Sequence, residues 1–312
     1  MRSYFFTFDS DLRNWLYMSF EITILGCGSA SPTSFRNPSA QVVQVQERSF
    51  LIDCGEGTQV QIRKSKIRMQ KINHILISHL HGDHYFGLVG LLSTFHLLGR
   101  EKELHVYGPE DLKNIIYTQL KASKTYLKYE LHFHALNFEA KQLLLEDKRV
   151  EVYSFPMRHS IEVCGFLIQE KVKPRKINRK AVDAFEVPVY ELNNIKDGAD
   201  YRMESGQVID NAKLTFEPNP SISYAYCSDT SYYPVIAESI QNVDLLYHEA
   251  TFGKDLEKLA KQTKHSTAEQ AALIAKVANA KQLLLGHYSA RYIDLNVLLD
   301  EAKEVFENTL LA

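Results

Sequence analysis

Four good metal ligands lie close together in the segment SHLHGDHYFG, directly after a short apolar run that we expect to end a buried strand. Alternate side chains of an extended chain share a face, so His79 and His81 can bind one metal ion. The glycine that follows lets the chain turn, which directs Asp83 and His84 towards a second ion. Imidazole and carboxylate suit zinc in a catalytic site, so this spacing predicts a zinc site.

Two ions need more ligands than this segment supplies. Isolated candidates stand at the ends of later predicted strands, namely His159, Asp229 and His287. Strand ends are where α/β folds collect chemistry, and we expect these side chains to complete two coordination shells. A lone His-x-His pair carries less weight, and we interpret His132 and His134 as strand residues without metal.

Further motifs narrow the family. The fragments HEATF, KHSTAEQAA and GHYSARY occur in this order after the HxHxDH segment, and they are preceded by LGCGSASPTSFRN, LIDCGEGTQ, RHS and CSDT. With them the chain resembles the metallo-β-lactamase superfamily, and within it the ribonuclease Z family, over about residues 21–292. The resemblance implies an α/β metallo-β-lactamase fold, a four-layer αβ/βα sandwich, and zinc-dependent removal of the 3′ trailer from precursor tRNA, leaving a 3′-hydroxyl on the tRNA.

The resemblance also implies two zinc ions per subunit, or manganese in their place. The implied ligands form two sets joined by one bridge: His79, His81 and His159 for one ion, Asp83, His84 and His287 for the other, and Asp229 between them. A carboxylate has two oxygens and can span ions about 3.5–4 Å apart, which is the separation of two-metal phosphoryl-transfer sites.

The resemblance assigns the remaining chemistry to a few side chains. Asp83 would accept the proton of the attacking water. His265 would donate a proton to the leaving group, with Glu249 holding its ring in position. Ser289 and Arg291 would bind the scissile phosphate, since arginine makes bidentate phosphate contacts.

One further substrate contact is expected from a loop near the start of the recognisable pattern. Residues 32–37 resemble the family loop that lies near the tRNA acceptor end, and Arg36 would contact the RNA backbone there.

Short apolar strands alternate with helical stretches along the chain, which is the pattern of an α/β layered domain. We predict strands at residues 21–26, 41–46, 49–53, 73–78, 104–107, 149–155, 223–228, 244–248 and 281–286. We predict helices at residues 55–64, 85–98, 109–121, 267–278 and 294–308, the fourth capped by Ser266 or Thr267. Residues 18–312 form the metallo-β-lactamase domain in this interpretation, and residues 1–17 are an N-terminal extension or an extra edge element.

Residues 172–206 interrupt the alternation and are interpreted as a protruding arm inserted in the domain. The stretch KVKPRKINRK at its start is strongly basic. In the ribonuclease Z family an arm at this place grips the tRNA elbow, which implies phosphate contacts at Lys173, Arg175, Lys176 and Arg179. The alternative is a solvated charged face, and the usual glycine-proline pairs of bacterial arms are absent from FEVPVYELNNIKDG.

Bulk composition sets the remaining expectations. The formal net charge of −2 excludes a protein that coats nucleic acid through its global field. Four scattered cysteines without CxxC spacing predict buried thiols. The chain has neither an apolar run of about 20 residues nor a secretory signal, which predicts a cytoplasmic protein with no membrane association. The family resemblance implies a homodimer in which one subunit's arm serves its partner's site.

Three rival interpretations stay open. A phosphodiesterase for cyclic nucleotides or other small diesters would share the metal ligands without needing the arm. A glyoxalase-type thioesterase or a lactamase would not explain HEATF together with KHST. A metal-free RNA-binding relative conflicts with the intact ligand set, and metal analysis of the purified protein distinguishes it.

Overall fold

Two seven-stranded sheets dominate the computed structural model, which describes residues 3–5 and 20–312. The first sheet contains β1 (Ser3–Phe5), β2 (Phe20–Gly26), β3 (Ala40–Val45), β4 (Arg48–Ile52), β5 (Ile72–Leu76), β6 (Leu104–Gly108) and β7 (Leu131–Ala135), in that order. The second contains β8 (Gln142–Glu146), β9 (Val150–Pro156), β10 (Cys164–Glu170), β15 (Ser223–Cys227), β16 (Leu245–Glu249), β17 (Gln282–Gly286) and β18 (Thr309–Leu311). Its spatial order is β18-β17-β16-β15-β10-β9-β8.

Helices cover the outer faces of both sheets. Four α-helices lie between β4 and β7 of the first sheet along the chain: α1 (Thr58–Lys64), α2 (Gly82–Tyr85), α3 (Leu88–Leu97) and α4 (Asp111–Ala122). The second is accompanied by α8 (Ile236–Ser239), α9 (Glu257–Thr263), α10 (Ala268–Val277) and α11 (Asn296–Lys303). Helix α10 begins as predicted, because the Thr267 side chain accepts a hydrogen bond from the Gln270 backbone and the Gln270 side chain bonds back to Thr267.

Alternate side chains of the first sheet pack into two separate hydrophobic cores. Leu51 and Ile75 point to the outer face and pack beneath α1, α3 and α4. Their neighbours Phe50 and Leu76 point inward and pack against β9, β10 and β15 of the second sheet. Period-two burial therefore produces the expected four-layer αβ/βα sandwich.

The predicted strands are all present, with ends shifted by one or two residues. The strand β10 pairs with β9 along its whole length and with β15 over four residues, but it was not predicted, because its sequence CGFLIQE lacks strong turn signals at its ends. The predicted helix at 294–308 is partly wrong. The helix α11 ends at Lys303, and the last residues form β18, which pairs in parallel with β17.

The insertion lies between β10 and β15 and has a small core of its own. It contains β11 (Lys176–Ile177), α5 (Arg179–Ala184), α6 (Leu192–Lys196), β12 (Tyr201–Arg202), β13 (Val208–Ile209), α7 (Asn211–Leu214) and β14 (Thr215–Phe216). Its core comprises Val182, Val187, Ile195, Ile209 and Leu214. Because β11 pairs with β14, the unit extends beyond the predicted range of 172–206.

Two other expectations concern the chain's start and its relation to membranes. Residues 3–5 form an edge strand that pairs antiparallel with β2, and the rest of the predicted extension lies outside the described residues. Across the part of the chain that the structure describes, none of the helices combines the length and apolar character needed to cross a bilayer.

Candidate metal centre

The predicted ligands converge because the sheets end at the same edge. The segment with four ligands follows the parallel strand β5, and His159 follows β9. Asp229 and His287 follow β15 and β17, which run parallel to β16 between them. Ends of parallel strands lie together, so residues far apart in sequence meet at one site. A glycine in the supporting loop is required, since a Cβ on Gly55 would lie 2.4 Å from the Asp83 carbonyl oxygen.

The first group of ligands contains three histidines and one oxygen of Asp229. His81 Nδ1 lies 3.2 Å from His159 Nε2. The Nε2 atoms of His79 and His159 each lie 3.7 Å from Asp229 Oδ2. These atoms are close enough together to bind one ion.

The second group uses the other oxygen of Asp229. His84 Nε2 and His287 Nε2 lie 3.2 and 3.0 Å from Asp229 Oδ1. The same two nitrogens lie 3.3 and 3.4 Å from Asp83 Oδ2. Asp229 therefore directs one oxygen at each group, which is the arrangement expected of a bridging carboxylate.

Partners on the far nitrogen orient the histidine rings. His84 Nδ1 lies 2.7 Å from Asp53 Oδ2, and His159 Nδ1 lies 2.8 Å from the Lys264 carbonyl oxygen. His79 Nδ1 lies 3.0 Å from Ser78 Oγ, which itself donates to Asp53. With the ring proton on Nδ1, each Nε2 lone pair points into the site, which is how histidine ligands of metals are usually held.

The residues present fit divalent metal ions. The Nε2 atoms of His79 and His84 are buried and have no hydrogen-bond partner among the described residues. Their lone pairs face carboxylate oxygens that carry lone pairs of their own, an arrangement that is unfavourable unless a cation or a proton lies between them. Imidazole and carboxylate are ligands that zinc accepts, so the donor chemistry agrees with the geometry.

The pKa values of these groups are shifted because acids and histidines lie buried side by side. Burial lowers the pKa of His84, but the charge of Asp229 and two further aspartates outweighs burial and raises it well above its usual value. Burial would raise the pKa of Asp83, but His84 and His287 lower it overall. Burial would likewise raise the pKa of Asp229, and the same two histidines lower it. The carboxylates are therefore ionised at neutral pH.

His265 lies beside both groups without belonging to the predicted ligand set. Its ring centroid is 4.9 Å from that of His159 and 5.5 Å from that of His287. Its Nδ1 lies 2.8 Å from Oε1 of Glu249, which is fully buried. Burial lowers the pKa of His265, but the charge and hydrogen bond of Glu249 outweigh it and raise the pKa to about 9. The imidazole is therefore protonated at neutral pH, as an acid must be.

The side chains expected to contact phosphate differ in their exposure to solvent. Ser289 is buried, and its backbone nitrogen donates a hydrogen bond to the Thr251 carbonyl oxygen at 3.2 Å. Arg291 is exposed, and its Nη1 lies 3.4 Å from Ser289 Oγ. Arg36 is only 9% exposed. Its guanidinium donates to the Tyr292 carbonyl oxygen and lies over the ring of Phe35. These contacts hold the loop at residues 32–37 against the protein. The RNA contact expected of Arg36 stays a prediction.

The four basic side chains of the insertion that were expected to bind RNA all have partners within the protein. Lys173 Nζ lies 2.7 Å from Glu170, Arg175 forms an ion pair with Glu217, and Arg179 lies 3.1 Å from Asp183. Lys176 Nζ donates to Asn219 Oδ1 at 2.9 Å. Residues 171–222 hold nine lysines and arginines and eight aspartates and glutamates. The insertion is therefore nearly neutral as a whole.

Two side chains of the site were missed at the sequence level. Buried Asp53 has φ 54° and accepts hydrogen bonds from His84, from Ser78 and from Tyr226, the last at 2.7 Å. Thr251 donates to Glu249 at 2.6 Å and lies 3.0 Å from His287 Nδ1. Their position in the sequence could have indicated them, since each follows a buried strand within one of the fragments that carry the family resemblance.

The chain is similar over most of its length to proteins named Ribonuclease Z. A family described as anti-Pycsar protein Apyc1 matches residues 20–173. The chain is 50% identical to the Ribonuclease Z of Bacteroides thetaiotaomicron over 293 residues, covering 94% of this chain and 93% of that protein. It is 46% identical to the Ribonuclease Z of Porphyromonas gingivalis, covering 94% and 97%. The crystal structure of the short form of human tRNase Z matches with a TM-score of 0.68 and 28% identity, covering 93% and 95%.

Proposed function

The chain belongs to the ribonuclease Z family, and on that premise we propose that it is a metal-dependent endoribonuclease that removes the 3′ trailer from precursor tRNA. The observation that carries the proposal is Asp229, whose two oxygens face two separate ligand groups. The reaction adds water to the scissile phosphate and breaks its bond to the 3′ oxygen. The products are tRNA with a 3′-hydroxyl and a trailer with a 5′-phosphate.

We further propose that the metals are two zinc ions per subunit, with manganese as the alternative. One ion would be held by His79, His81 and His159, the other by Asp83, His84 and His287, with Asp229 shared. When bound, such ions lower the pKa of water towards 7 and stabilise the charge that develops on the phosphate.

The chain's own residues supply the proton transfers. Asp83 Oδ2 faces the second group and accepts a hydrogen bond from the Ala30 backbone at 2.8 Å, which fixes its orientation. Asp83 is ionised because its pKa is lowered, and in this proposal it accepts the proton of the attacking water, as the family resemblance implies. His265 carries the proton that the departing 3′ oxygen needs, and Glu249 holds the ring by its Nδ1. Ser289 and Arg291 would bind the phosphate oxygens.

Mapping the cut on a precursor tRNA tests the proposal. We expect one cut at the mature 3′ end that leaves a 3′-hydroxyl on the tRNA, and loss of this activity on chelation. An enzyme that hydrolyses cyclic nucleotides or bis-nitrophenyl phosphate and leaves the precursor intact would instead be the small-diester phosphodiesterase.

A homodimer in the cytoplasm completes the proposal. Sedimentation at the protein concentrations used for activity should give twice the mass of one chain. A fully active monomer would remove the dimer from the proposal without affecting the chemistry.

A further inference from the structure

A cavity of about 820 Å³ opens beside His265, and its lining contains no residue of the ligand segment that follows β5. Its volume lies within the range of about 300–1,000 Å³ that ligand sites occupy. The lining residues come from loops after β9 and β15 and from the region of α9 and α10: Arg158, Ser231, Tyr232, Glu257, Lys258, Lys261, Lys264, His265 and Gln270.

The cavity is cationic, and two of its cations are not neutralised. Lys258 and Lys261 are exposed, lie three residues apart on α9 and therefore share a face. Neither forms an ion pair within residues 20–312. The nearby Lys254, by contrast, forms one with Glu269 at 2.8 Å. Glu257 is the one acid in the lining. These lysines differ in this respect from the paired cations of the insertion.

An aromatic side chain completes the chemistry. Tyr232 lines the cavity and is 39% exposed, so its ring is available for stacking. Sites for single-stranded nucleic acid combine a positive groove for the backbone with aromatic rings on which bases stack. A small diester has neither a neighbouring phosphate for the lysines nor a second base for the ring.

The position of His265 decides which part of an RNA occupies the cavity. The proposed acid delivers its proton to the departing 3′ oxygen, so the nucleotide that bears this oxygen must lie on the side of His265. We infer that the cavity binds the unpaired nucleotide at the 3′ end of the mature tRNA, with its 5′ phosphate on Lys258 and Lys261 and its base on Tyr232. This inference rests on the proposed function and identifies its substrate contacts on the leaving-group side.

Product inhibition tests the inference directly. The variants are Lys258→Glu with Lys261→Glu, and Tyr232→Ala, each compared with the unaltered enzyme. The matched control is Lys113→Glu with Lys121→Glu, two exposed lysines on α4 in the outer layer of the first sheet. The probes are mature tRNA ending in a 3′-hydroxyl and a trailer oligonucleotide bearing a 5′-phosphate.

We expect the α9 double variant to weaken inhibition by mature tRNA at least about tenfold, the loss typical of one or two charge-assisted hydrogen bonds. The salt dependence of mature tRNA binding should flatten by about one unit, because the two lysines bind a single phosphate and the slope counts the phosphates that are neutralised. Tyr232→Ala should weaken the same inhibition with the salt dependence unchanged. Inhibition by the trailer should change far less in both variants, and the control should match the unaltered enzyme.

The outcomes separate this inference from the proposed function. If the unaltered enzyme leaves precursor tRNA intact, the proposed function fails and the cavity assignment fails with it. If it cleaves the precursor but the double variant binds mature tRNA equally well, only the cavity assignment is overturned. A selective loss of trailer inhibition would also overturn it, because the cavity would then hold the other product.

Discussion

The metal centre and the insertion both concentrate ionisable side chains, but the two regions use them in opposite ways. In the metal centre the charged atoms are buried and point at one another, and Asp229 lies within 3.7 Å of four histidine nitrogens. In the insertion the charged groups lie near the surface, and Arg175 and Arg179 are paired with acids of the same unit. The centre is thus incomplete without a cation, whereas the insertion is already close to neutral.

The difference has an energetic consequence. Buried polar atoms without partners cost about 1–3 kcal/mol each, so the centre favours binding of metal strongly. Exposed ion pairs contribute only about 0–1 kcal/mol, so an RNA phosphate can displace the acid from such a pair at little cost. Activity should therefore depend steeply on single residues of the centre and weakly on single residues of the insertion.

Removing the shared carboxylate should have the largest effect. Asp229→Ala deletes the oxygens that face both groups, so we expect activity on precursor tRNA and on bis-nitrophenyl phosphate to fall more than about 100-fold, beyond the usual loss for residues that only orient a ligand. Elemental analysis should show fewer metal ions per chain. Asp197→Ala, an exposed aspartate in the insertion, is the control. Full metal content with both activities intact would remove Asp229 from the bridging role.

His265→Ala should have the next largest effect, and only on a substrate with a poor leaving group. Proton donation contributes about 10²–10⁴-fold, so cleavage of the ribose 3′ oxygen should fall by that factor. Hydrolysis of bis-nitrophenyl phosphate should fall much less, since nitrophenolate leaves without a proton. Equal losses on both substrates would show that His265 is not the acid.

The pH profile provides a second check on this residue. The pKa of His265 is raised to about 9, so the ring carries its proton below that pH and loses it above. RNA cleavage by the unaltered enzyme should therefore decline as the pH rises through about 9. A variant without His265 should lack this decline.

Asp53→Asn should reduce activity on both substrates alike, by about 10–100-fold, because the carboxylate orients a ligand and does not touch the substrate. The amide nitrogen of asparagine would face the donors of His84 and Ser78. Asp244→Asn is a matched control, since Asp244 is also a buried aspartate with hydrogen bonds to Ser223 and Lys281. We expect it to lower thermal stability without lowering metal affinity. Equal metal affinity in all three proteins would contradict the role of Asp53.

Asp53 also shows where sequence reasoning stops. The ligand segment after β5 could be predicted because its spacing is local and follows a buried strand. Asp53 also accepts a hydrogen bond from Tyr226, which is 173 positions away, and that contact exists only once the two sheets pack. Strand β10 escaped prediction for a similar reason, because its pairing on both sides defines it better than its sequence does.

The basic residues of the insertion have partners that a short sequence window does not show. The run KVKPRKINRK indicates a basic patch if it is considered alone. The acids that neutralise it are separated from it in sequence, as with Glu217 beside Arg175. Composition over the whole insertion shows its near-neutral balance, whereas a ten-residue window shows only the basic residues, and their contact with RNA stays a prediction.

The smallest expected effect tests whether the insertion contacts RNA at all. Removing an acid that pairs with a cation should leave the cation free, so Glu217→Gln and Asp183→Asn should tighten binding of precursor tRNA if Arg175 and Arg179 contact phosphates. A released surface pair is worth about 0–1 kcal/mol, which corresponds to at most about fivefold in affinity. The reverse changes, Arg175→Gln and Arg179→Gln, should weaken binding and lower the salt slope by about one unit each.

Binding would be measured without cleavage, in chelator and at several salt concentrations, with Glu307→Gln on the exposed surface beyond α11 as control. If removing the acids and removing the arginines both leave the affinity and the salt slope unchanged, the basic stretch is a solvated face and the insertion does not grip RNA through these residues.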